Sequence, residues 1–194
     1  MSRKSYHHGD LRRTLIGATV EILATTDVDK LSLREVARRA EVSSGAPYHH
    51  FQDKLGLLAA VAMEGWAALN DAMSAAAHPD PETSLKQRSE AYIRYALAHP
   101  AHYRVLLLRD LKDDLRFPEL TAEAGRGLEE LVAVISAVRG GKADQDLLLV
   151  AISIWSTVHG FVSLWLDGPL QNKPIPLGVL IDRVSETVVQ VARG

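Results

Sequence analysis

Apolar residues recur at helical spacing along most of the chain. The first segment has them at positions i, i+4, i+7 and i+11, which are Leu11, Leu15, Ala18 and Ile22. That spacing places them on one face of a helix of about four turns, and Asp10 is predicted to cap it. No segment has the sustained alternation of apolar and polar residues, bounded by turn residues, that predicts a β-hairpin. The pattern therefore predicts an all-α fold.

The second predicted helix opens with a capping box. Ser32 and Glu35 stand three residues apart, so each side chain can satisfy the other's free backbone amide. The helix is expected to end near Ala40, and a tight turn leads into another short helical piece that ends near Phe51. Two short helices joined in this way describe a helix-turn-helix. In that motif the first helix crosses the DNA backbone, and the second lays its first residues against base edges in the major groove.

The segment Val42 to Lys54, VSSGAPYHHFQDK, has the composition of a helix start that docks on a partner. Four small residues open it, and their free amides suit phosphate: Ser43, Ser44, Gly45 and Ala46. Pro47 is compatible with a first helical turn, where its missing N–H is not needed, if Ser43 or Ser44 is the cap. Three polar side chains able to reach phosphates or base edges follow before Phe51 enters the core: Tyr48, His49 and His50.

The rest of the chain continues the helical pattern. Asp53 is predicted to cap a long fourth helix, and five more helices are predicted at about 84–98, 101–111, 119–139, 144–167 and 177–192, which makes about nine in all. The domain boundary is placed within the fourth helix, with residues 1–56 as one domain and residues 57–194 as the other. The apolar run Leu147 to Leu166 is interrupted by polar residues, so it is predicted to be a buried core helix and no membrane span.

Composition and charge narrow the function classes only a little. The chain has no cysteine, which excludes disulfides and thiolate chemistry and fits a cytoplasmic location. Its polar N-terminus lacks the apolar segment of a signal peptide. Residues 1–56 carry nine Lys and Arg against seven Asp and Glu, a net charge of +2, whereas the remainder carries −4. Local basic patches decide phosphate contact, so this asymmetry only hints at a nucleic-acid partner.

Two long motifs in residues 8–64 closely resemble the N-terminal DNA-binding domain of the TetR family of transcriptional regulators. They are GDLRRTLIGATVEIL and LSLREVARRAEVSSGAPYHHFQDKLGLLAAV, in which a small-residue turn precedes Tyr-x-His-Phe and a lysine. Downstream, HPAHYRVLLLRD and WSTVHGFVSLWLDG resemble the C-terminal domain of the family's Trp-His-Gly subgroup, on Trp155, His159 and Gly160. Asp27 departs from the glycine that usually ends the family's first helix, and aspartate tolerates a left-handed backbone.

The resemblance implies an all-α, two-domain homodimer. Each subunit would supply one helix-turn-helix, and the last two helices of each C-terminal domain would pair as a four-helix bundle. A small-molecule effector in that domain would change the separation of the two reading helices. We therefore expect a cytoplasmic transcriptional repressor that binds double-stranded operator DNA, needs no cofactor, and is released by an unidentified effector.

The resemblance also assigns roles to single residues. Tyr48 matches the family's phosphate-contacting tyrosine, Lys54 its lysine, and His50 the contact position that follows the tyrosine. Positions that vary with operator sequence are Arg34, Ser44, Gly45, Ala46 and His49. The full predicted DNA-binding set is Ser32, Arg34, Ser43, Ser44, Gly45, Ala46, Pro47, Tyr48, His49, His50 and Lys54. The predicted effector pocket, for which core packing is the alternative role, is Tyr103, Leu107, Trp155, His159, Phe161 and Trp165.

Other chemistries fit the residues less well. Adjacent histidines on a helix, such as His49 and His50, point about 100° apart, so a metal site there is not predicted. Arg3 and Lys4 could insert into a minor groove or form a solvated tail. The chain has no glycine-rich phosphate loop, His-Glu-x-x-His motif or serine elbow, so no enzyme is predicted. The alternative of another class is a helical small-molecule-binding or interaction protein that does not read DNA.

Overall fold

The computed structural model describes residues 8–112, 115–141 and 146–194, with the backbone alone at 8–10 and 112. Within these ranges it has nine α-helices and no strand, which confirms the all-α prediction. The helices are α1 (His8–Leu23), α2 (Leu33–Arg39), α3 (Lys54–Ala75), α4 (Pro81–Ala98), α5 (Pro100–Leu106), α6 (Arg109–Lys112), α7 (Pro118–Val138), α8 (Leu147–Leu166) and α9 (Leu177–Arg193). Two 3₁₀ helices lie at Val28–Lys30 and Ala46–His49.

Among the described residues the number of helices agrees with the prediction, but two of the predicted segments differ. The short piece before Phe51 is a 3₁₀ helix, and the single helix predicted at 101–111 is divided into α5 and α6. Asp10 is the third residue of α1, so it is not the predicted cap, because the helix already begins at His8. Arg3 and Lys4 lie outside the described residues.

The chain forms two compact units. The first comprises Met1–Gly65 and Ala101–Leu120, and the second comprises Trp66–Pro100 and Thr121–Gly194. The domain boundary at residue 56 stays a prediction.

The first unit is built on the apolar face predicted for α1. Leu15, Ala18 and Ile22 are buried there, and Leu11 is half-buried. Helix α1 packs on α2, and α2 packs on the 3₁₀ helix Ala46–His49. Further core side chains come from α2, α3 and α5: Leu33, Val36, Leu57, Val61, Tyr103 and Val105. These buried contacts hold the backbone of the helix-turn-helix in place.

The predicted capping box at α2 forms only in part. The Ser32 hydroxyl accepts a hydrogen bond from the Glu35 amide at 3.2 Å. The described contacts include no return bond from Glu35, whose carboxylate instead accepts from Nε and Nη2 of Arg38. A charge-assisted bidentate bond is stronger than a neutral one, which explains why the Glu35 carboxylate bonds to Arg38 and not to the Ser32 amide. The same guanidinium holds the pKa of Glu35 below its usual value.

In the second unit, helices α4, α8 and α9 pack on one another. The α4 helix begins three residues before its predicted start because Asp80 caps it, accepting from the Thr83 amide at 2.8 Å. Lys86 on α4 pairs with Asp182 on α9 at 2.6 Å. Nε of Arg139 donates to the carbonyl oxygen of Ala192 at 2.8 Å.

Helix α8 is not the buried core helix that its sequence predicts. One face is buried through residues such as Ala151, Ile154 and Val158, whereas Leu149 and Ile152 are exposed. Among the described residues it alone has the length and apolarity of a membrane span, and a core helix of a soluble protein can pass the same test. The α8 sequence contains no Asp, Glu, Lys or Arg to mark a solvent-facing side, but α4 and α9 cover only one side of the helix.

Candidate nucleic-acid interface and ligand cavity

A Schellman motif ends α2 and makes the turn of the helix-turn-helix. The Glu41 amide donates to the Arg38 carbonyl at 3.2 Å, and the Val42 amide donates to the Ala37 carbonyl at 3.0 Å. This pair of bonds requires a left-handed residue between them, and Glu41 has φ of 55°. Asp27, for which a left-handed backbone was predicted to be tolerable, is extended with φ −66° and ψ 149° because it precedes a 3₁₀ helix.

Glu41→Gly is expected to raise the free energy of unfolding by about 0.5–1 kcal/mol. Glycine removes the steric cost of the left-handed backbone, and part of the gain is lost to the greater freedom of glycine in the unfolded chain. Urea unfolding measures the difference. Glu41→Ala is the control, since it removes the side chain but keeps Cβ and should gain nothing. Equal stability of the two variants would contradict the backbone origin of the effect.

The reading element of the helix-turn-helix is the 3₁₀ helix Ala46–His49, and it begins later than its sequence suggests. Its N-cap is Gly45, which has no side chain to cap the helix, and Pro47 lies in the first turn. Neither Ser43 nor Ser44 caps it, which corrects the prediction. The Ser43 carbonyl instead accepts from the Ala46 amide at 2.9 Å.

Burial divides the predicted DNA-binding residues into three sets. Exposed to solvent are Ser32, Arg34, Ser43, Ser44, Gly45, Tyr48 and His49. Ala46 and Pro47 are buried, and His50 and Lys54 are half-buried. The 3₁₀ helix is therefore pinned by Ala46 and Pro47 while Tyr48, 55% exposed, and His49 project outward.

Of the three arginines of α2, two lie beside acidic side chains, and the third, Arg34, is available to contact a partner. Arg38 pairs with Glu35, and Arg39 lies 3.7 Å from Glu21. For Arg34, the described part of the chain gives no acidic partner. An unpaired exposed guanidinium beside the reading element suits recognition of phosphate or guanine.

Lys54 and Asp53 stand where the reading element meets α3. Asp53 caps α3 as predicted, since its Oδ1 accepts from the Gly56 amide at 2.8 Å. Its Oδ2 accepts from Nη1 of Arg116 at 2.8 Å. The Arg116 guanidinium, and next the Gly56 amide, hold the pKa of the Asp53 carboxyl below its usual range. Nζ of Lys54 donates to the Asp29 carbonyl at 3.2 Å, which leaves donor capacity for a phosphate.

A cavity of about 140 Å³ lies within the second unit. Its walls are mainly apolar and aromatic, with Trp66, Tyr92 and Trp155 among them, and Arg88 and Glu130 also line it. In the described chain no three His, Asp or Glu side chains cluster as metal ligands would.

Only Trp155 of the predicted pocket residues lines this cavity. Tyr103 and Leu107 belong to the other unit, where Tyr103 is a core residue. The other three lie on α8 outside the lining: His159, Phe161 and Trp165. The lining face of α8 is Ile154, Trp155 and Val158, so Trp155 is the one aromatic residue predicted on α8 that belongs to it. Arg88 and Glu130 were missed because charged residues in amphipathic helices usually face solvent.

Two glycines of α7 that line the cavity differ in the space around them. A Cβ at Gly127 would lie 2.7 Å from Oδ1 of Asn70, whereas a Cβ at Gly125 would meet nothing within 4 Å. Asn70 is fully buried, and its Nδ2 donates to the backbone oxygen and Oε1 of Glu123, both at 2.9 Å. The amide therefore has little freedom to move away from a side chain at position 127.

Gly127→Ala is expected to lower the free energy of unfolding by about 1–2 kcal/mol, because overpacking outweighs the better helix propensity of alanine. Gly125→Ala is the matched control on the same helix and should raise it by up to about 1 kcal/mol. Thermal unfolding followed by circular dichroism gives both values. The close contact with Asn70 is refuted if the two variants are equally stable.

The short α2 helix, the left-handed turn and the exposed 3₁₀ element define a helix-turn-helix protein of the DNA-binding class. The profile of the bacterial regulatory proteins of the tetR family matches residues 15–61. The profile of the tetracyclin repressor-like C-terminal domain matches residues 85–188, more than half of the chain. The chain belongs to the TetR family of transcriptional regulators.

Individual relatives agree with this family. The HTH-type transcriptional regulator BetI of Escherichia coli (strain K12 / DH10B) is 38% identical over 82 residues, which is 42% of this chain and 42% of that protein. The chain therefore matches about two-fifths of the length of this curated relative. A protein of unknown function from Rhodococcus sp. RHA1 superposes with a TM-score of 0.78 at 27% identity, over 98% of this chain and 97% of that one. A tetR-family regulatory protein from Rhodococcus RHA1 gives a TM-score of 0.77 at 23% identity, over 94% and 96%.

Proposed function

We propose that the protein is a sequence-specific DNA-binding repressor whose affinity for its operator falls when a small molecule binds in the C-terminal domain. The observation that carries the proposal is the division of the reading element into a buried side and an exposed polar side. Ala46 and Pro47 hold it against the core, while Tyr48 and His49 project outward. A polar edge on a fixed backbone is suited to a rigid partner such as duplex DNA.

The exposed residues divide by the contacts that their chemistry favours. Tyr48 and Lys54 would donate to phosphates and set the position of the element on DNA. His49 and Arg34 would reach base edges and contribute to sequence choice. His50 is half-buried beside Phe51, with ring centroids 6.4 Å apart, so its role would be a phosphate contact near the core. Ser43, Ser44 and Gly45 would let the backbone approach DNA closely.

The protein would act in the cytoplasm as a homodimer through α8 and α9. Both helices carry large apolar side chains that are exposed in the single chain: Leu148, Leu149, Ile152, Leu164 and Val179. A Cβ at Gly160 would meet nothing within 4 Å, so nothing in the protomer requires glycine there. A close crossing with α8 of a second copy would require it. Trp155, His159 and Gly160 also support membership of the Trp-His-Gly subgroup.

Ile152→Glu is expected to weaken dimerisation at least about a hundredfold, because it places a carboxylate in an apolar interface. Analytical ultracentrifugation over a concentration series measures the dissociation constant. Leu115→Glu is the control, since Leu115 is 96% exposed and lies in the first unit; its dimer should be unchanged. A stable dimer of the Ile152 variant would place the interface elsewhere.

Selection of bound duplexes from a random pool tests the proposed function. A dimeric reader should enrich an inverted repeat whose half-sites are about one helical turn of DNA, or a multiple of it, apart. Absence of any enriched sequence would favour the alternative, a helical small-molecule-binding or interaction protein that does not read DNA. Repression is then tested by placing the enriched site in a reporter promoter.

A further inference from the structure

The cavity of the second unit contains two charged side chains that neutralise each other. Arg88 and Glu130 are the charged residues of its lining, and Nη1 of Arg88 donates to Oε2 of Glu130 at 2.7 Å. The Ser74 hydroxyl donates to the same oxygen at 3.1 Å. Both charged side chains are more than two-thirds buried. The remaining walls are uncharged. Nη1 of Arg126, outside the lining, lies 4.0 Å from Oε1 of Glu130, but Arg126 also pairs with Asp71 and Glu123, so the site offers no net charge to a ligand.

Among the described residues Arg88 donates a single hydrogen bond, from Nη1 to Glu130, so most of the five N–H donors of its guanidinium have no acceptor there. The Nε atom of Arg88 is shielded from solvent and has no hydrogen-bond partner among the described residues. Other polar groups of the lining are satisfied within the protein. The Ser89 hydroxyl donates to the Leu85 carbonyl at 2.8 Å, and the Trp155 indole N–H contacts the Tyr92 hydroxyl at 3.4 Å. A buried donor without a partner is unfavourable, so a ligand acceptor that reaches the Arg88 guanidinium would be favoured.

The size and walls of the cavity restrict what can supply that acceptor. An engineered apolar cavity of about 150 Å³ in another protein binds benzene, and this one has about 140 Å³. Trp66, Tyr92 and Trp155 offer aromatic surface to a flat ring. A ligand carboxylate would be attracted by Arg88 but repelled by Glu130 beside it, and a ligand ammonium the reverse. A charged ligand would therefore gain too little from the pair to offset its own desolvation.

We propose that this cavity takes an uncharged, mainly apolar molecule of about the size of a substituted benzene, which presents one carbonyl oxygen to the Arg88 guanidinium. Ketones, esters and amides have this chemistry. The assignment rests on the proposed function in one respect, namely that the effector binds in the C-terminal domain.

Three probes of equal heavy-atom count separate the possibilities on the full chain without DNA. Acetophenone has the carbonyl acceptor without a charge, benzoate carries a negative charge, and isopropylbenzene has no acceptor. Ligand-observed NMR is expected to show acetophenone binding at least about tenfold more tightly than either of the others. Tighter binding of benzoate, equal binding of isopropylbenzene, or no binding of acetophenone at millimolar concentration would each overturn the proposal.

Glu130→Gln tests the charge argument on the same probes. The amide keeps the shape and an acceptor for Ser74 and Arg88 but leaves the Arg88 charge uncompensated. Benzoate should therefore gain at least about tenfold relative to acetophenone. Glu129→Gln is the matched control, because Glu129 is the exposed neighbour on α7 and lies outside the lining; its preference should be unchanged. An unaltered preference in a folded Glu130 variant would overturn the proposal.

These measurements are independent of DNA. A chain that binds no operator yet prefers acetophenone would refute the proposed function and leave the ligand assignment intact. A chain that binds its operator but fails to prefer acetophenone would refute the ligand assignment and leave DNA binding intact.

Discussion

Replacing Tyr48 by alanine is expected to lower the affinity for the selected operator duplex by about ten- to a hundredfold. A hydrogen bond to a charged group contributes about 1.5–3 kcal/mol, which is that range of affinity. Folding stability should change by no more than about 0.5 kcal/mol, because the side chain is 55% exposed. Electrophoretic mobility shift and thermal unfolding on the same preparation measure the two quantities.

Tyr48 gives a cleaner test than Lys54. Removing the Lys54 side chain would also break its bond to the Asp29 carbonyl, so lost affinity could follow from a displaced loop. Leu115→Ala is the control for an exposed residue of the same unit outside the helix-turn-helix, and it should change neither quantity. Wild-type affinity in the Tyr48 variant would remove the residue from the interface.

Phe51→Ala is expected to have the largest effect on stability, lowering the free energy of unfolding of the first unit by about 3–5 kcal/mol. Phe51 is 4% exposed, and the Arg12 guanidinium lies 5.5 Å from its ring centroid. A domain has only about 5–15 kcal/mol of stability, so DNA binding should be lost on warming well before it is lost in wild type. Urea unfolding and temperature-dependent DNA binding measure these effects.

The reason for the loss can be distinguished with a conservative variant. Phe51→Leu keeps most of the apolar volume and should cost less than about 1.5 kcal/mol, with DNA affinity nearly unchanged at low temperature. If Phe51→Ala instead lost DNA affinity while retaining its stability, the ring would be a DNA contact and not a core residue.

The sequence predicted best those features that depend on neighbouring residues. The apolar face of α1 follows from helical spacing, and the caps formed by Ser32 and Asp53 follow from side chains that reach amides three residues away. These interactions form within one turn of helix, so their signals are contained in short windows. The start of the helix-turn-helix was predictable for this reason.

Features that depend on distant residues were predicted less well. The second half of the capping box was lost to Arg38, a competing partner one turn further along. The exposed side of α8 could not be predicted because the helix contains no Asp, Glu, Lys or Arg to mark it. The left-handed turn at Glu41 carried no glycine to signal it.

The candidate sites show the same contrast. The small residues marked the segment that leads into the reading element, whose helix starts only at Ala46. Only the structure separates Ala46 and Pro47, which are buried, from Tyr48 and His49, which are exposed. The cavity is assembled from α3, α4, α7 and α8. No local pattern relates Arg88 to Glu130, 42 residues apart in the chain, so the pair was not predicted.

The dependence of duplex affinity on salt tests most directly whether this helix-turn-helix binds DNA. Each phosphate neutralised contributes about −0.9 to the slope of log affinity against log salt concentration. With several phosphate contacts per subunit, the slope on the selected duplex should be steeper than about −3. A flat slope on that duplex and on every other sequence tried would contradict DNA binding by this surface.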